Sequence, residues 1–139
     1  MAIFKDLTPL SYFGAEYSDV LRGVGWLGRD SEYRKGPMAV EVYERLQKLL
    51  SRPFQPILSA GFHECELCQF DGVPGSANLF VPGDGFLYVS PELIGHYVNV
   101  HGYRPPDEFC VAVMECPDTH SIDYKKLFLK NGGRRLLAP

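Results

Sequence analysis

The clearest pattern of apolar and polar positions lies between Gly36 and Pro53. Apolar side chains recur there every three or four residues, and charged side chains fill most of the positions between them. This spacing is typical of an amphipathic helix that buries one face. The predicted buried positions are Ala39, Val42, Tyr43, Leu46, Leu49 and Leu50. Pro37 suits the first helical turn, because a proline lacks the N–H group that has no partner there.

Two further helices are predicted nearer the C-terminus. The first begins at Ser90-Pro91-Glu92, which combines a capping side chain, a proline and an acidic first turn. It ends at Gly102, because glycine readily adopts the left-handed conformation that terminates helices. The second spans Ser121 to Lys130 and ends at the Asn131-Gly132-Gly133 stretch.

Short apolar runs outside these helices predict strands. The candidates are Val20–Leu27, an irregular strand at residues 54–62, a hairpin with arms at 78–81 and 86–89, and Glu108–Cys116 between prolines. Strands and helices in this order predict an α+β fold. We expect a single domain over residues 1–139, with a mostly antiparallel sheet and about three helices.

Composition narrows the class of protein. A chain of 139 residues has the usual size of one domain, and a net charge of −3 argues against a nucleic-acid partner. The N-terminus lacks a basic stretch followed by an apolar run, and no window of 18 apolar residues occurs. These observations predict a cytoplasmic protein without membrane association. In the cytosol, four cysteines are more often reduced or metal-bound than bridged.

The segment Ala60–Gly72 concentrates possible metal ligands, because His63, Cys65 and Cys68 fall within six positions. Two residues between cysteines let both thiolates converge on one tetrahedral ion. His96 and His101 follow on a predicted helix, at a spacing found in zinc sites. A cysteine pair, a hairpin and a helix with two histidines resemble a zinc-finger arrangement, so the sequence predicts a zinc-knuckle-like segment.

Which histidines complete the site stays open at this point. Residues five apart on a regular helix point about 140° apart, so His96 and His101 should not both face one ion. Either Gly102 loosens the last turn, or His63 replaces one of them. We expect His63, Cys65, Cys68 and His101 as ligands of a zinc ion, with His96 as an alternative ligand or packed behind the site.

Readings without a metal are also possible for the cysteines. Cys65 and Cys68 are compatible with a buried apolar pair or a redox dithiol, although nothing after Cys68 resembles the helix start that a redox dithiol normally has. Cys110 is expected in the core, beside Phe109. Cys116 is a spare ligand candidate.

Two enzyme signatures fail on inspection. The stretch that begins at His63 lacks the second histidine of the zinc-protease motif, which would replace Leu67. Deaminases need one residue between histidine and glutamate, whereas Glu64 directly follows His63. The favoured function is a structural zinc protein that binds another protein, as an interaction or regulatory module. The alternative is a small zinc-dependent hydrolase with an open coordination position and Glu64 or Glu66 as base. No triad-like order of residues along the chain supports a cysteine nucleophile paired with a histidine.

Three stretches together resemble an uncharacterised family of small bacterial proteins. They are GFHECELCQFDG, LYVSPELIGHYVNVHGYRPPDEFCVAVMECP and the C-terminal NGG, with Val24–Leu27 as a further match. The resemblance covers nearly the whole chain. It implies no known activity, and it implies that the two histidine–cysteine blocks act together.

Overall fold

A small mixed sheet lies at the centre of the fold. The computed structural model describes residues 3–57, 64–68 and 75–137. Within these ranges the sheet has the order β1-β3-β2, with β1 at Leu21–Gly23, β2 at Asn78–Pro82 and β3 at Leu87–Pro91. β2 and β3 form the predicted antiparallel hairpin, and β1 lies parallel to β3.

Helices surround this sheet and confirm the predicted α+β class. They are α1 at Val40–Ser51, α2 at Ile94–His101, α3 at Asp107–Glu115, α4 at Ile122–Phe128 and α5 at Arg134–Leu137. A 3-10 helix at Ala15–Val20 precedes β1. α1 packs on α3, and α4 packs on β2.

The core contains many aromatic side chains, and the polar atoms of Trp26 and Tyr124 have partners there. Trp26 is 1% exposed, and its indole N–H donates to the Val89 carbonyl at 2.9 Å. The Tyr124 hydroxyl donates to the Phe80 carbonyl at 2.6 Å. Because a buried polar group without a partner is costly, these bonds let large aromatic side chains enter the core. β2 and β3 are buried along almost their whole length, so the sheet is covered on both faces.

The N-terminal segment protects the outer edge of β1. The Leu10 N–H donates to the Leu21 carbonyl at 3.1 Å, and the Gly23 N–H donates to the Thr8 carbonyl at 3.1 Å. Edge strands expose unpaired backbone groups, and this segment satisfies those of β1.

The prediction of a strand at Glu108–Cys116 was wrong, because α3 occupies this stretch. Its buried residues are Phe109, Ala112 and Val113, which have helical spacing. A short apolar run does not distinguish a buried strand from a buried helix. The acidic first turn after Pro106 was the signal that sequence reasoning missed.

The boundaries of several other elements also differ from the predicted ones. Ser90 and Pro91 complete β3 instead of starting a helix, so α2 begins at Ile94. The strand predicted at Val20–Leu27 shortens to β1. Residues 54–57 are not a strand, and the rest of that predicted element lies outside the described residues. Ser121 does cap the last predicted helix, because its hydroxyl accepts the Tyr124 N–H at 3.1 Å.

Asn131 joins the C-terminal helices to the hairpin turn. Its side-chain oxygen accepts the Gly85 N–H at 2.8 Å, and its amide donates to the Leu127 carbonyl at 2.8 Å. The residue is only 6% exposed. It therefore fixes the β2–β3 turn against the segment between α4 and α5.

We predict that Asn131→Ala destabilises the fold by about 1–3 kcal/mol, because it removes both hydrogen bonds made by this nearly buried side chain. Urea unfolding followed by circular dichroism measures this loss. Asn99→Ala, at an exposed position on α2, is the control and should change the free energy of unfolding by less than about 0.5 kcal/mol. Equal losses for both variants would contradict the role assigned to Asn131.

Candidate metal centre

Four possible metal ligands meet between the cysteine segment and α2. They are Cys65, Cys68, His96 and His101, and one ligand atom from each lies within 4.8 Å of the other three. The cysteines belong to the bend at residues 64–68, and the histidines stand near the start and at the end of α2. All four side chains are partly buried.

The spacing of the ligand atoms suits a tetrahedral ion. The two Sγ atoms are 3.6 Å apart, Cys65 Sγ lies 3.3 Å from His101 Nε2, and Cys68 Sγ lies 3.5 Å from His96 Nε2. Around a tetrahedral zinc ion, with its usual bonds to sulfur and nitrogen, neighbouring ligand atoms lie about 3.3–3.8 Å apart. The side chains therefore stand close to the positions that such an ion requires.

The end of α2 explains how both histidines reach the same place. Gly102 has a φ of 65°, in the left-handed region, and terminates the helix. The N–H groups of Gly102 and Tyr103 both donate to the Tyr97 carbonyl, five and six residues back. An α-turn reaches back four residues, so this last turn is wider, and residues five apart point in more similar directions.

The expectation that a regular helix turns only one histidine toward the cysteines is therefore not met. The His96 and His101 rings lie 5.0 Å apart, and each contacts a different cysteine. The glycine at position 102 had indicated, from the sequence, that the last turn of this helix could widen. His63 lies outside the described residues, so its role as a ligand stays a prediction.

The segment before α1 holds the end of α2 in place. The Tyr33 hydroxyl donates to the His101 carbonyl at 3.2 Å, and the Gly36 N–H donates to the Gly102 carbonyl at 3.0 Å. The last carbonyl groups of a helix lack partners within it, so these bonds satisfy groups that would otherwise need water. The backbone that carries His101 is thus fixed from outside the helix.

Burial affects the protonation of two of the four clustered side chains. It lowers the pKa of His101, and the nearby His96 imidazole lowers it further. His101 is therefore neutral at pH 7, the form that binds metals. Burial raises the pKa of the Cys65 thiol. A divalent cation reverses this effect, because coordination favours the thiolate.

Neither of the two acidic candidates joins the four-residue cluster. Glu66 lies between the cysteines, and its carboxylate accepts the Arg29 N–H at 3.2 Å. It lines a cleft of about 690 Å³ between the N-terminal residues and residues 27–34. Glu64 is exposed.

The remaining cysteines are not part of the cluster. Cys116 is 4% exposed and belongs to the core, whereas Cys110 is only partly buried. This reverses the expected placement, because α3 turns Phe109 into the core and Cys110 away from it. Cys116 is therefore a core residue rather than a spare ligand.

Comparison with protein families identifies the chain's relatives. Residues 2–114 match the model of a family described as a domain of unknown function, DUF7919. The chain belongs to this family. All four clustered residues fall within the DUF7919 match, whereas α4 and α5 follow it. Neither the curated proteins nor the solved structures compared with the chain gave a match. In the described part of the chain, no helix combines the length and apolarity that a membrane span requires.

We predict that Gly102→Ala weakens zinc binding by this DUF7919 chain. An alanine Cβ meets nothing within 4 Å there, so the effect comes only from the left-handed backbone, which costs a non-glycine residue about 1–2 kcal/mol. Relief of that strain changes the end of α2 and moves His101. Competition with a chromophoric chelator measures the affinity.

Gly85→Ala is the matched control. Gly85 also has a positive φ, 86°, and open space at its Cβ, but it lies in the hairpin turn. Both variants should lose similar stability in the metal-free state, and only Gly102→Ala should lose affinity for zinc. Equal zinc affinities would show that the helix end does not position His101.

Proposed function

We propose that this protein binds one zinc ion through Cys65, Cys68, His96 and His101. The observation that carries the proposal is the convergence of these two sulfur and two nitrogen atoms within 4.8 Å. Thiolates and imidazoles favour zinc over hard cations such as magnesium and calcium, which prefer oxygen. The ligand set differs from the sequence-based one in replacing His63 with His96.

We propose further that the ion is structural. Four protein ligands fill a tetrahedral shell, whereas catalytic zinc sites keep one position for water. The ion would join residues 64–68 to α2. The other attachments of this segment include the Glu66–Arg29 bond and the partly buried Leu67. Structural zinc contributes on the order of 10 kcal/mol in binding free energy, comparable to the stability of a whole domain.

The role that follows is that of an interaction or regulatory module whose partner is another protein. A filled coordination shell leaves no place for a substrate, which supports binding over catalysis. The second candidate is a zinc-dependent hydrolase, and one observation favours it: the cleft beside the cluster has Glu66 in its wall. In that case one protein ligand must give way to water.

We predict that the purified protein carries about one zinc ion per chain, and that chelation lowers its melting temperature because the cysteine segment loses its link to α2. Elemental analysis of protein prepared without a nickel column, followed by calorimetry with and without chelator, measures both. Cys65→Ser should lose the ion.

Cys110→Ser is the control for this prediction, because Cys110 lies outside the cluster and is also partly buried. It should keep the ion. A protein without metal, with the Cys65 and Cys68 thiols freely titratable, would contradict the proposal. A Cys65→Ser variant that loses the ion yet melts at an unchanged temperature would contradict the structural role.

We predict that X-ray absorption shows two sulfur neighbours at about 2.3 Å and two nitrogen neighbours at about 2.0–2.1 Å. His96→Ala and His101→Ala should each weaken binding, because each removes one of the two nitrogen ligands. His63→Ala should leave the ion in place. If His63→Ala removes the ion and His96→Ala does not, the sequence-based ligand set is correct instead. An exchangeable water oxygen in the shell, displaced by a small anion, would favour the hydrolase.

A further inference from the structure

The two clustered cysteines are close enough to bond to each other. Their Sγ atoms are 3.6 Å apart, and only two residues separate them in the chain. A disulfide needs about 2.0 Å between the sulfurs. A small movement within the bend at residues 64–68 therefore suffices, and neither the sheet nor α2 has to move.

The thiols differ in access and in available partners. Cys65 and Cys68 are both partly exposed. Cys116 is buried, and burial raises the pKa of its thiol to about 12. Cys110 is partly exposed, but it lies on α3 six positions before Cys116, which is about 9 Å along a helix. Among the cysteines, only Cys65 and Cys68 combine access to solvent with a second thiol at short range.

We propose that Cys65 and Cys68 form a redox switch that releases the zinc ion when a peroxide oxidises the pair. This inference rests on the proposed function, because the bound ion holds both sulfurs as thiolates, the reactive form. Oxidant access and a neighbouring resolving thiol are the features of redox-sensing cysteines.

The chemistry balances with hydrogen peroxide as the oxidant. One thiolate attacks the peroxide, an oxygen is transferred to sulfur as a sulfenic acid, and the hydroxide that leaves takes up a proton to become water. The second thiolate attacks that sulfur, forms the S–S bond and expels hydroxide, which is also protonated to water. The two sulfurs lose two electrons in total, and the peroxide is reduced to two water molecules.

Release of the ion follows from the loss of ligands. A disulfide carries no thiolate charge, so only His96 and His101 remain to hold the ion. Two imidazoles from α2 do not fill a tetrahedral shell. Oxidation would therefore detach residues 64–68 from α2 at the same time as it frees the zinc.

The test treats the zinc-loaded full chain with hydrogen peroxide in the presence of a chromogenic zinc chelator. The expected result is about one zinc released for each disulfide formed, because both thiolates leave the shell together. Alkylation of the remaining thiols and peptide mapping should place the disulfide between Cys65 and Cys68. Cys110 and Cys116 should be alkylated. A dithiol reductant with added zinc should restore the loaded protein.

Cys110→Ser serves as the matched variant and should respond like the native chain. Zinc that stays bound under peroxide would overturn the switch. Zinc release with sulfinic acid and no disulfide would overturn it too, as would earlier oxidation of Cys110 or Cys116. A chain that holds no zinc before peroxide contradicts the proposed function itself, whereas a chain that binds zinc and keeps it contradicts only the switch.

Discussion

The Tyr97 carbonyl and the two N–H groups that donate to it determine the geometry of the cluster. A helix that kept its regular geometry to the last residue would turn His96 and His101 apart. Here Gly102 enters the left-handed region, and the chain reaches back to Tyr97 from two successive residues. The wider turn replaces the regular hydrogen bonds of the last helical turn. Hydrogen bonds donated by Tyr33 and Gly36, in the segment before α1, compensate for this loss. Convergence of the four ligands depends on this one helix end.

Sequence reasoning recovered the parts that rest on local chemistry. The cysteine spacing, the hairpin and the glycine at the end of α2 are all readable because each follows from the geometry of a few neighbouring residues. Apolar periodicity alone did not place α3, because the run around Phe109 and Val113 is also compatible with a strand, and the acidic turn after Pro106 was missed. The same limit applied to Ser90 and Pro91, where pairing with β2 overrides a good helix-start signal.

Sequence reasoning left the choice of histidines open for a different reason. The angle between residues five apart was calculated correctly for an ideal helix, but the terminal turn is not ideal. The Tyr33–His101 and Gly36–Gly102 bonds come from a segment more than 60 residues away in the chain, and no local pattern reveals them. Long-range backbone contacts therefore help to bring His96 and His101 together beside the cysteines, whereas His63 lies outside the described residues.

The hydrophobic core and the four-residue cluster are held together in different ways. In the core, the indole N–H of Trp26 and the hydroxyl of Tyr124 both donate to carbonyl groups of the sheet. Residues 64–68 lie at the margin of this core, where Cys65 and Leu67 are only partly buried and Glu66 accepts the Arg29 N–H. A metal ion bound by the cluster would link residues 64–68 to α2, at one side of the hydrophobic core. A segment of this kind can change state while the rest of the fold persists, which is the physical requirement for a regulatory module.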